Sequence, residues 1–396
     1  MSGSADRSGT VPGGFGLYVH WPFCVSKCPY CDFNSHVADD VDQDAWRAGL
    51  LAELDHYGIK TKRRRLDSVF FGGGTPSLMP AETAAAILDT LPDYWDVPED
   101  VEITLEANPS SVEARKFNDF KVAGINRVSL GVQSFHDTDL DFLGRAHSAD
   151  DARNSIKIAE RTFERTSFDL IYALPGQDPA SWAQQLDEVL GYDTGHLSLY
   201  QLTIEKGTPF YSAHRNGNFR LPNDALAADL YDQTTETLSK HDLNGYEVSN
   251  YARSGLESRH NLVYWRGGDY VGIGPGAHGR LTINGRRVRT EQVPSPTNWL
   301  AAIQNMGHAT RISDTISGPE HIVERLMMGL RLSEGIERVL FARQTGAQLE
   351  ASINATRAQA LQEAGIIELD DRGLRATARG RLRLNAVIEA LAPDAG

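Results

Sequence analysis

Short apolar stretches alternate with amphipathic, helix-like stretches over the first half of the chain. Six apolar stretches are rich in β-branched and aromatic residues and predict strands at 17–20, 68–71, 102–105, 127–130, 168–172 and 197–201. The stretches between them predict helices, chiefly at 42–57, 80–91, 111–124, 149–162 and 179–190. Alternation at this spacing indicates a parallel sheet with right-handed crossovers. Six such units predict an incomplete barrel.

The alternation ends after Gly207. A long helix is predicted over 223–241, and a Gly- and aromatic-rich region at 245–281 is expected to cap the barrel or close its open side. From about Ile312 the pattern is helical again, and its end has the order helix, two short strands around "DDRG", helix. That order is typical of a winged-helix-like unit.

The expected fold class is therefore α/β, a partial (β/α)6 barrel with a smaller C-terminal helical, winged-helix-like domain. The expected domain boundaries are a disordered leader at 1–14, the barrel at 15–305 with a Gly/aromatic-rich extension at 207–290, and the C-terminal domain at 312–396.

Composition narrows the function classes. Hydrophobic residues make up 41% of the chain and charged residues 23%, as in ordinary globular proteins, and no apolar run approaches the roughly 20 residues that span a bilayer. The net charge of −14 argues against nucleic-acid binding, and "KTKRRR" at 60–65 is expected to be a solvated helix end. The first residues carry no signal-peptide pattern, so the cytoplasm is the expected compartment.

All three cysteines lie within eight residues, at Cys24, Cys28 and Cys31. An odd number excludes a closed disulfide framework. Three thiolates suit an iron–sulfur centre in which one iron keeps an open position for a ligand. The alternatives are a structural Cys3His zinc that recruits His20 or His36, and three unrelated buried cysteines.

Cys-x3-Cys-x2-Cys, with Tyr30 before the last cysteine, resembles the signature of the radical S-adenosylmethionine (SAM) superfamily. The resemblance implies a [4Fe–4S] cluster on these cysteines, whose open iron binds the amino and carboxylate groups of SAM. It also implies reductive cleavage of SAM to a 5′-deoxyadenosyl radical, and a barrel with its site at the carboxyl ends of the strands.

Further motifs follow the predicted strands: "FFGGGTPS" (70–77), "EANPS" (106–110), "GVQSF" (131–135), "LGRAH" (143–147) and "DLIYALPGQ" (169–177). Taken singly, the glycines fit a tight turn and each polar residue fits a helix cap. Their recurrence after successive strands fits a site at a barrel mouth. The resemblance implies that SAM is contacted by Tyr18, Tyr30, Gly73, Gly74, Thr75, Glu106, Gln133, Arg145 and Asp169.

Within the superfamily the motifs are similar to the branch that contains oxygen-independent coproporphyrinogen III dehydrogenase and the heme chaperones. The dehydrogenase carries a fourth cysteine two residues after the third, where this chain has Phe33. The chaperones carry Asp-Phe-Asn at this point, found here as 32–34, and a His-Asn-x-x-Tyr-Trp motif, found here as "HNLVYW" at 260–265. The resemblance therefore favours the chaperones.

The "HNLVYW" motif has two interpretations. Imidazole ligates heme iron and aromatic rings stack on porphyrins, so the motif is a candidate heme site. Alternatively, its polar residues cap a loop and its aromatic residues pack on the barrel. The heme candidates are His260, Asn261, Tyr264 and Trp265, and His278 is a further candidate axial ligand.

The resemblance implies a heme chaperone that binds heme and the cluster with SAM, and passes heme to an apo-hemoprotein. A membrane-bound respiratory enzyme is the acceptor that the family suggests, and a homodimer is a candidate assembly. The alternative is the dehydrogenase, which decarboxylates coproporphyrinogen III oxidatively by radical chemistry. A third is another radical reaction on a tetrapyrrole. No catalytic residue is assigned, and whether the chain is an enzyme stays open.

Overall fold

The six predicted strands form the centre of a sheet that has twelve strands in the described part of the chain. The structure, a computed structural model, describes residues 9–38 and 40–393. Its strands are β1 Phe15–Trp21, β2 Phe23–Cys24, β3 His36–Val37, β4 Ser68–Gly73, β5 Glu102–Ala107, β6 Arg127–Gln133, β7 Arg165–Tyr172, β8 His196–Gln201, β9 Asn244–Gly245, β10 Asn250–Ala252, β11 Asp269–Ile273, β12 His278–Ile283, β13 Arg286–Gln292, β14 Thr310–Thr315, β15 Ile336–Glu337, β16 Ile367–Leu369 and β17 Gly373–Ala376.

Helices follow most of these strands. They are α1 Gln43–Lys60, α2 Ala81–Thr90, α3 Ser111–Ala114, α4 Phe117–Val122, α5 Asp137–Phe142, α6 Ala149–Thr162, α7 Pro179–Val189, α8 Pro209–Arg215, α9 Asp224–Ser239, α10 Arg259–Trp265, α11 Pro296–Met306, α12 Gly318–Gly329, α13 Arg338–Thr345, α14 Ala355–Glu363, α15 Ala378–Arg381 and α16 Leu384–Leu391.

Strands β1, β4, β5, β6, β7 and β8 are parallel neighbours in this order, as the alternating pattern predicts. In the register, Val19 pairs with Phe71 and Phe71 with Leu105, so the carboxyl ends of these strands lie side by side. Buried apolar side chains from the strands and the outer helices form one continuous core. This arrangement brings every loop that follows a strand to one end of the barrel.

The Gly- and aromatic-rich region adds strands to both edges of the sheet. Strand β10 pairs antiparallel with β8, whereas β11 pairs parallel with β1 and is followed by the antiparallel strands β12 to β14. The prediction had this region cap the barrel or close its open side, but it did not identify these edge strands. Strand β10 has only three residues, β11 and β12 contain glycines, and β13 and β14 are mostly polar, so none of them is a continuous apolar run.

Two details differ from the predicted helices. The helix predicted over 111–124 is divided into α3 and α4, and α4 buries Phe117 and Phe120 in the core. Helices α5 and α8 have only six and seven residues, too few to show a helical periodicity in the sequence.

The predicted leader falls partly outside the described residues, since these begin at residue 9. Residues 9–14 lie against the rest of the chain and differ from the disorder expected there. The Gly9 carbonyl accepts a hydrogen bond from the Arg65 amide (3.1 Å), and the Pro12 carbonyl accepts one from Gln344 Nε2 (3.0 Å). This short segment therefore connects the barrel to helix α13.

The C-terminal part combines helices α12 to α16 with a three-stranded antiparallel sheet of β15, β17 and β16. Its buried side chains form a second apolar cluster. A cation–π contact between Arg331 and the Trp265 ring (4.6 Å) joins it to helix α10. No helix in the described residues combines the length and apolar character needed to cross a bilayer.

Candidate functional site

A cavity of about 660 Å³ opens at the carboxyl ends of the parallel strands. All three cysteines line it, on the loop that follows β1, together with residues of β7 and of the loops after β4, β5, β6 and β8. Ligand sites in barrels of alternating strands and helices occur at this end. The cysteine loop therefore lies at the end of the barrel where ligand-binding and catalytic residues are found.

Each cysteine sulfur has a polar neighbour in the cavity wall. Thr75 Oγ1 donates to Cys24 Sγ (3.5 Å) and Arg145 Nη1 donates to Cys28 Sγ (3.3 Å). Cys31 Sγ lies 3.9 Å from the hydroxyl of Ser35. Hydrogen bonds to cluster sulfurs stabilise their negative charge and tune the reduction potential of an iron–sulfur cluster.

Three thiols on one short loop suit an iron–sulfur cluster, whereas a Cys3His zinc site needs a free histidine. No group of three or more His, Cys, Asp or Glu side chains in the described residues converges closely enough for one ion. Zinc–sulfur bonds of about 2.3 Å would hold the sulfurs closer together than a four-iron cluster does. His20 is also engaged, since its Nδ1 meets the Tyr18 hydroxyl (3.0 Å) and its Nε2 meets the Asn34 carbonyl (2.9 Å).

Backbone pairing fixes the start of the cysteine loop. The amides of Gly74 and Thr75 donate to the carbonyls of Trp21 (2.7 Å) and Phe23 (2.8 Å). Gly73 has φ of 118°, and a Cβ there would lie 2.7 Å from the His20 ring. The glycine motif lines the cavity, but two of its amides hold the cysteine loop in place and do not face a ligand.

Asn34 fixes the other end of the loop. Its Nδ2 donates to the carbonyls of Pro275 (2.8 Å) and Pro294 (2.9 Å), and its Oδ1 meets His36 Nε2 (3.1 Å). The sequence pattern contained this residue in Asp-Phe-Asn, but it gave no sign of the two carbonyl partners, which lie more than two hundred positions away. Asn34 thus connects the cluster loop to the region that follows β11.

Replacing Asn34 with alanine is expected to loosen this end of the loop. Two backbone carbonyls and His36 lose their partner, so the free energy of unfolding should fall by about 1–3 kcal/mol. The reconstituted cluster should lose iron in air several times faster than in the wild type, measured as iron content against time. Asn216→Ala, at an exposed helix end, serves as the control. Equal rates of iron loss in Asn34→Ala and wild type would refute this role.

Eight of the nine residues predicted to contact SAM line the cavity: Tyr30, Gly73, Gly74, Thr75, Glu106, Gln133, Arg145 and Asp169. Tyr18 does not line it. Its ring stacks on Phe70 and His260 deeper in the barrel, with centroid distances of 6.3 Å to each. The side-chain roles toward SAM stay a prediction.

Two of the carboxyl groups that line the cavity, those of Glu106 and Asp169, have raised pKa values. Burial and the nearby Asp169 raise the pKa of Glu106 to about 8, against the hydrogen bond from the Gly73 amide. Burial also raises the pKa of Asp169 to about 6, although hydroxyl groups of Ser198 and Ser129 oppose the shift. At neutral pH, Glu106 and Asp169 together therefore carry less than the two negative charges of a fully ionised pair.

Asn108 connects the loops after β4 and β5 to Arg145, and the sequence interpretation missed it. Its Nδ2 donates to Thr75 Oγ1 (3.0 Å), and its Oδ1 accepts from Arg145 Nη2 (2.6 Å). Through Thr75 and Arg145 it is linked to two cysteine sulfurs. Asn108 lies within "EANPS", a motif in which the sequence interpretation assigned a role only to Glu106.

The "HNLVYW" motif lies on helix α10, away from the cavity. His260 Nδ1 meets the hydroxyl of Ser68 (2.8 Å), the first residue of β4, and its Nε2 meets the Tyr264 hydroxyl (2.7 Å). The cysteines follow the opposite end of β1, so the strands separate the two motifs by roughly 20 Å. Burial and the Arg127 charge lower the pKa of His260 to about 3.

The structure therefore does not bring the heme candidates together with the cysteines. His260 is almost completely buried, and both of its ring nitrogens are engaged within the protein. Asn261 donates weakly to the Tyr246 hydroxyl (3.4 Å), and Trp265 packs against Arg331. In this conformation the motif closes the barrel floor, as the packing interpretation expects. His278 is exposed on β12, 3.9 Å from Glu291.

Comparisons with known proteins match this chain along nearly its whole length. Residues 18–189 match the Radical SAM superfamily, and residues 316–383 match the HemN C-terminal domain. The chain is 37% identical to the Escherichia coli protein named Heme chaperone HemW, over 94% of this chain and 97% of that protein. It is 40% identical to the bovine protein named Radical S-adenosyl methionine domain-containing protein 1, mitochondrial, over 95% of this chain and 86% of the relative.

One solved structure shares the fold over almost the full length. Escherichia coli coproporphyrinogen III oxidase (HemN), described as a radical SAM enzyme, superposes with a TM-score of 0.78 over 97% of this chain and 91% of its own. At 22% identity this similarity shows the fold alone. The radical SAM match implies a [4Fe–4S] cluster and SAM, and the cysteine loop described above fits the cluster.

Proposed function

Because this chain belongs to the radical SAM superfamily and, within it, to the HemW family of heme chaperones, we propose that it binds heme and transfers it to an acceptor hemoprotein. The similarity to heme chaperones runs across the chain, with 34–37% identity to the Escherichia coli and Bacillus subtilis proteins of that name. The single observation that carries the proposal is this full-length similarity, combined with a cavity lined by all three cysteines.

The residue after the cluster ligands supports the chaperone over the dehydrogenase. Phe33 stands where the dehydrogenase has its fourth cysteine, and its side chain is exposed at the cavity rim. A phenyl ring offers neither a thiolate nor a proton. The fold similarity to HemN keeps the dehydrogenase as the second candidate, since the same barrel serves both.

In the proposed protein, Cys24, Cys28 and Cys31 hold the cluster, and the neighbouring loops bind SAM. A bound cluster supplies an electron for SAM cleavage. Residues of this chain hold the cysteine ligands in position: Arg145 donates a hydrogen bond to Cys28 Sγ, and Thr75 donates one to Cys24 Sγ.

We propose that the acceptor is an apo-hemoprotein, with a membrane-bound respiratory enzyme as the candidate. We also propose that the protein forms a homodimer, which sedimentation would test.

The three cysteines are free in the structure, which favours a reducing compartment. We propose the cytoplasm, while noting that the bovine relative is named as mitochondrial.

The test is an anaerobic reconstitution of the cluster followed by a hemin titration with simultaneous assay of 5′-deoxyadenosine. We expect saturable hemin binding, and no 5′-deoxyadenosine release that depends on coproporphyrinogen III. Failure to bind hemin would overturn the chaperone proposal. Conversion of coproporphyrinogen III to protoporphyrinogen IX would establish the dehydrogenase instead.

A further inference from the structure

The rim of the cysteine-lined cavity carries apolar side chains in unusual number. Twelve large apolar side chains are exposed in the described residues, and four of them line this one cavity: Val25, Phe33, Val112 and Tyr200. Val25, Phe33 and Val112 are 70%, 60% and 64% exposed. Exposed apolar groups gathered at one opening mark a binding surface.

The same rim contains a cation that has no acidic partner among the described residues. Lys27 is exposed, and its ammonium group contacts only the carbonyls of Phe33 (3.4 Å) and Ser35 (3.3 Å) among the described residues. Its side chain therefore offers a positive charge beside the Phe33 backbone, in the same part of the rim. An apolar ligand with a carboxylate at its edge matches this combination.

The other candidate heme site is closed in this structure. Both ring nitrogens of His260 are hydrogen-bonded, and helix α10 packs into the barrel floor at the end opposite the cysteines. Exposing His260 to heme iron would leave the Ser68 and Tyr264 hydroxyl groups unpaired. A buried hydroxyl without a partner is costly.

We propose that heme binds at the cavity rim, with its macrocycle against Phe33, Val25 and Val112 and a propionate beside Lys27. This inference rests on the proposed function and names the place where heme is held. It separates heme from the "HNLVYW" motif and brings it to the mouth of the cluster site.

The small size of the rim favours heme over a protein as its occupant. A stable protein interface buries about 800 Å² on each partner, and a few side chains provide much less. Heme instead needs a limited apolar contact and a countercharge for its propionates. The rim also continues into a cavity of about 660 Å³, which leaves the inner part free for the cluster and SAM.

The test compares hemin binding by reconstituted, full-length variants. Phe33→Asp and Val112→Asp each place a charge in the apolar rim, and together they should raise the apparent Kd for hemin at least about tenfold. Lys27→Ala should raise it by about threefold. Val122→Asp is the matched control, since Val122 is 80% exposed on α4 at the opposite end of the barrel, and it should leave the Kd unchanged.

Two further measurements keep the result interpretable. The first is the iron content of each variant, because Phe33 is only two residues from Cys31 and its replacement could disturb the cluster. Val112 lies outside the cysteine loop, so Val112→Asp tests the rim without changing that loop. His260→Ala tests the other site, and it should retain the wild-type hemin affinity in the folded fraction.

Four outcomes would overturn the rim site. These are unchanged hemin affinity in the rim variants, an equal loss in Val122→Asp, loss of hemin binding confined to His260→Ala, and dissociation of a dimer by the rim variants without a change in affinity. A wild-type protein that binds no hemin is a different result, since it overturns the proposed function itself.

Discussion

Replacing Cys28 with serine is expected to abolish stable assembly of the iron–sulfur cluster. Serine is a poor ligand for iron, and the site has only three cysteines, so two thiolates remain. Even a residue that only hydrogen-bonds to a metal ligand contributes roughly 10- to 100-fold to metal affinity. Loss of a ligand itself should therefore lower the retained iron by more than about tenfold. The measurement is iron and sulfide content after anaerobic reconstitution, with the electron paramagnetic resonance signal of the reduced sample.

The control for this variant is Ser26→Ala, an exposed neighbour on the same loop. It should retain the wild-type iron content. The thermal unfolding of apo Cys28→Ser should match that of the apo wild type, because Cys28 is only partly buried on a loop. Full iron content in Cys28→Ser would show that the three cysteines are not the ligand set.

Replacing Glu102 with alanine should cause the largest loss of fold stability. Its buried carboxylate forms ion pairs with Arg127 (3.3 Å) and Arg165 (2.9 Å) and accepts a hydrogen bond from the His260 amide (3.2 Å). Removing it leaves two cations uncompensated at the barrel floor. Breaking a buried pair in this way costs about 3–5 kcal/mol, to be measured by chemical denaturation.

Glu99→Ala is the control, because Glu99 is exposed three residues earlier in the chain. It should change the free energy of unfolding by less than about 0.5 kcal/mol. A loss below about 1 kcal/mol in Glu102→Ala would contradict the proposed role of the floor network. That network also holds α10, so its integrity fixes the "HNLVYW" motif in the closed position described above.

The central barrel was predictable because each of its strands is a local apolar run between strong turn and helix signals. β1 and β4 to β8 follow directly from these runs, and their parallel order follows from the helices between them. The edge strands β10 to β14 were not identified, because none of them is a continuous apolar run: β11 and β12 contain glycines, and β13 and β14 are mostly polar. Strand β10 has three residues, and it is recognisable only by its pairing with β8.

The site was predictable from sequence where its residues lie together on one loop. The spacing of Cys24, Cys28 and Cys31 indicated a cluster, and the cavity contains all three. Asn34 and Asn108 were missed because an amide side chain has no characteristic spacing, and its function depends on partners that only the fold supplies.

The heme motif shows the limit of sequence interpretation most clearly. His260 and Tyr264 are four residues apart, which places them on one face of a helix but does not say what that face meets. The fold directs this face into the barrel floor, where Ser68 and Phe70 lie. The chemical types that suit heme therefore also suit a buried aromatic cluster.

The most direct test of heme delivery is the rate at which an acceptor gains heme. A heme-free respiratory enzyme in membranes would be mixed with hemin carried by the reconstituted protein, and with the same hemin carried by serum albumin as control. Faster restoration of the acceptor's heme content and activity by this protein is the predicted result. A rate no greater than that from albumin, with conversion of coproporphyrinogen III in a parallel assay, would contradict the account.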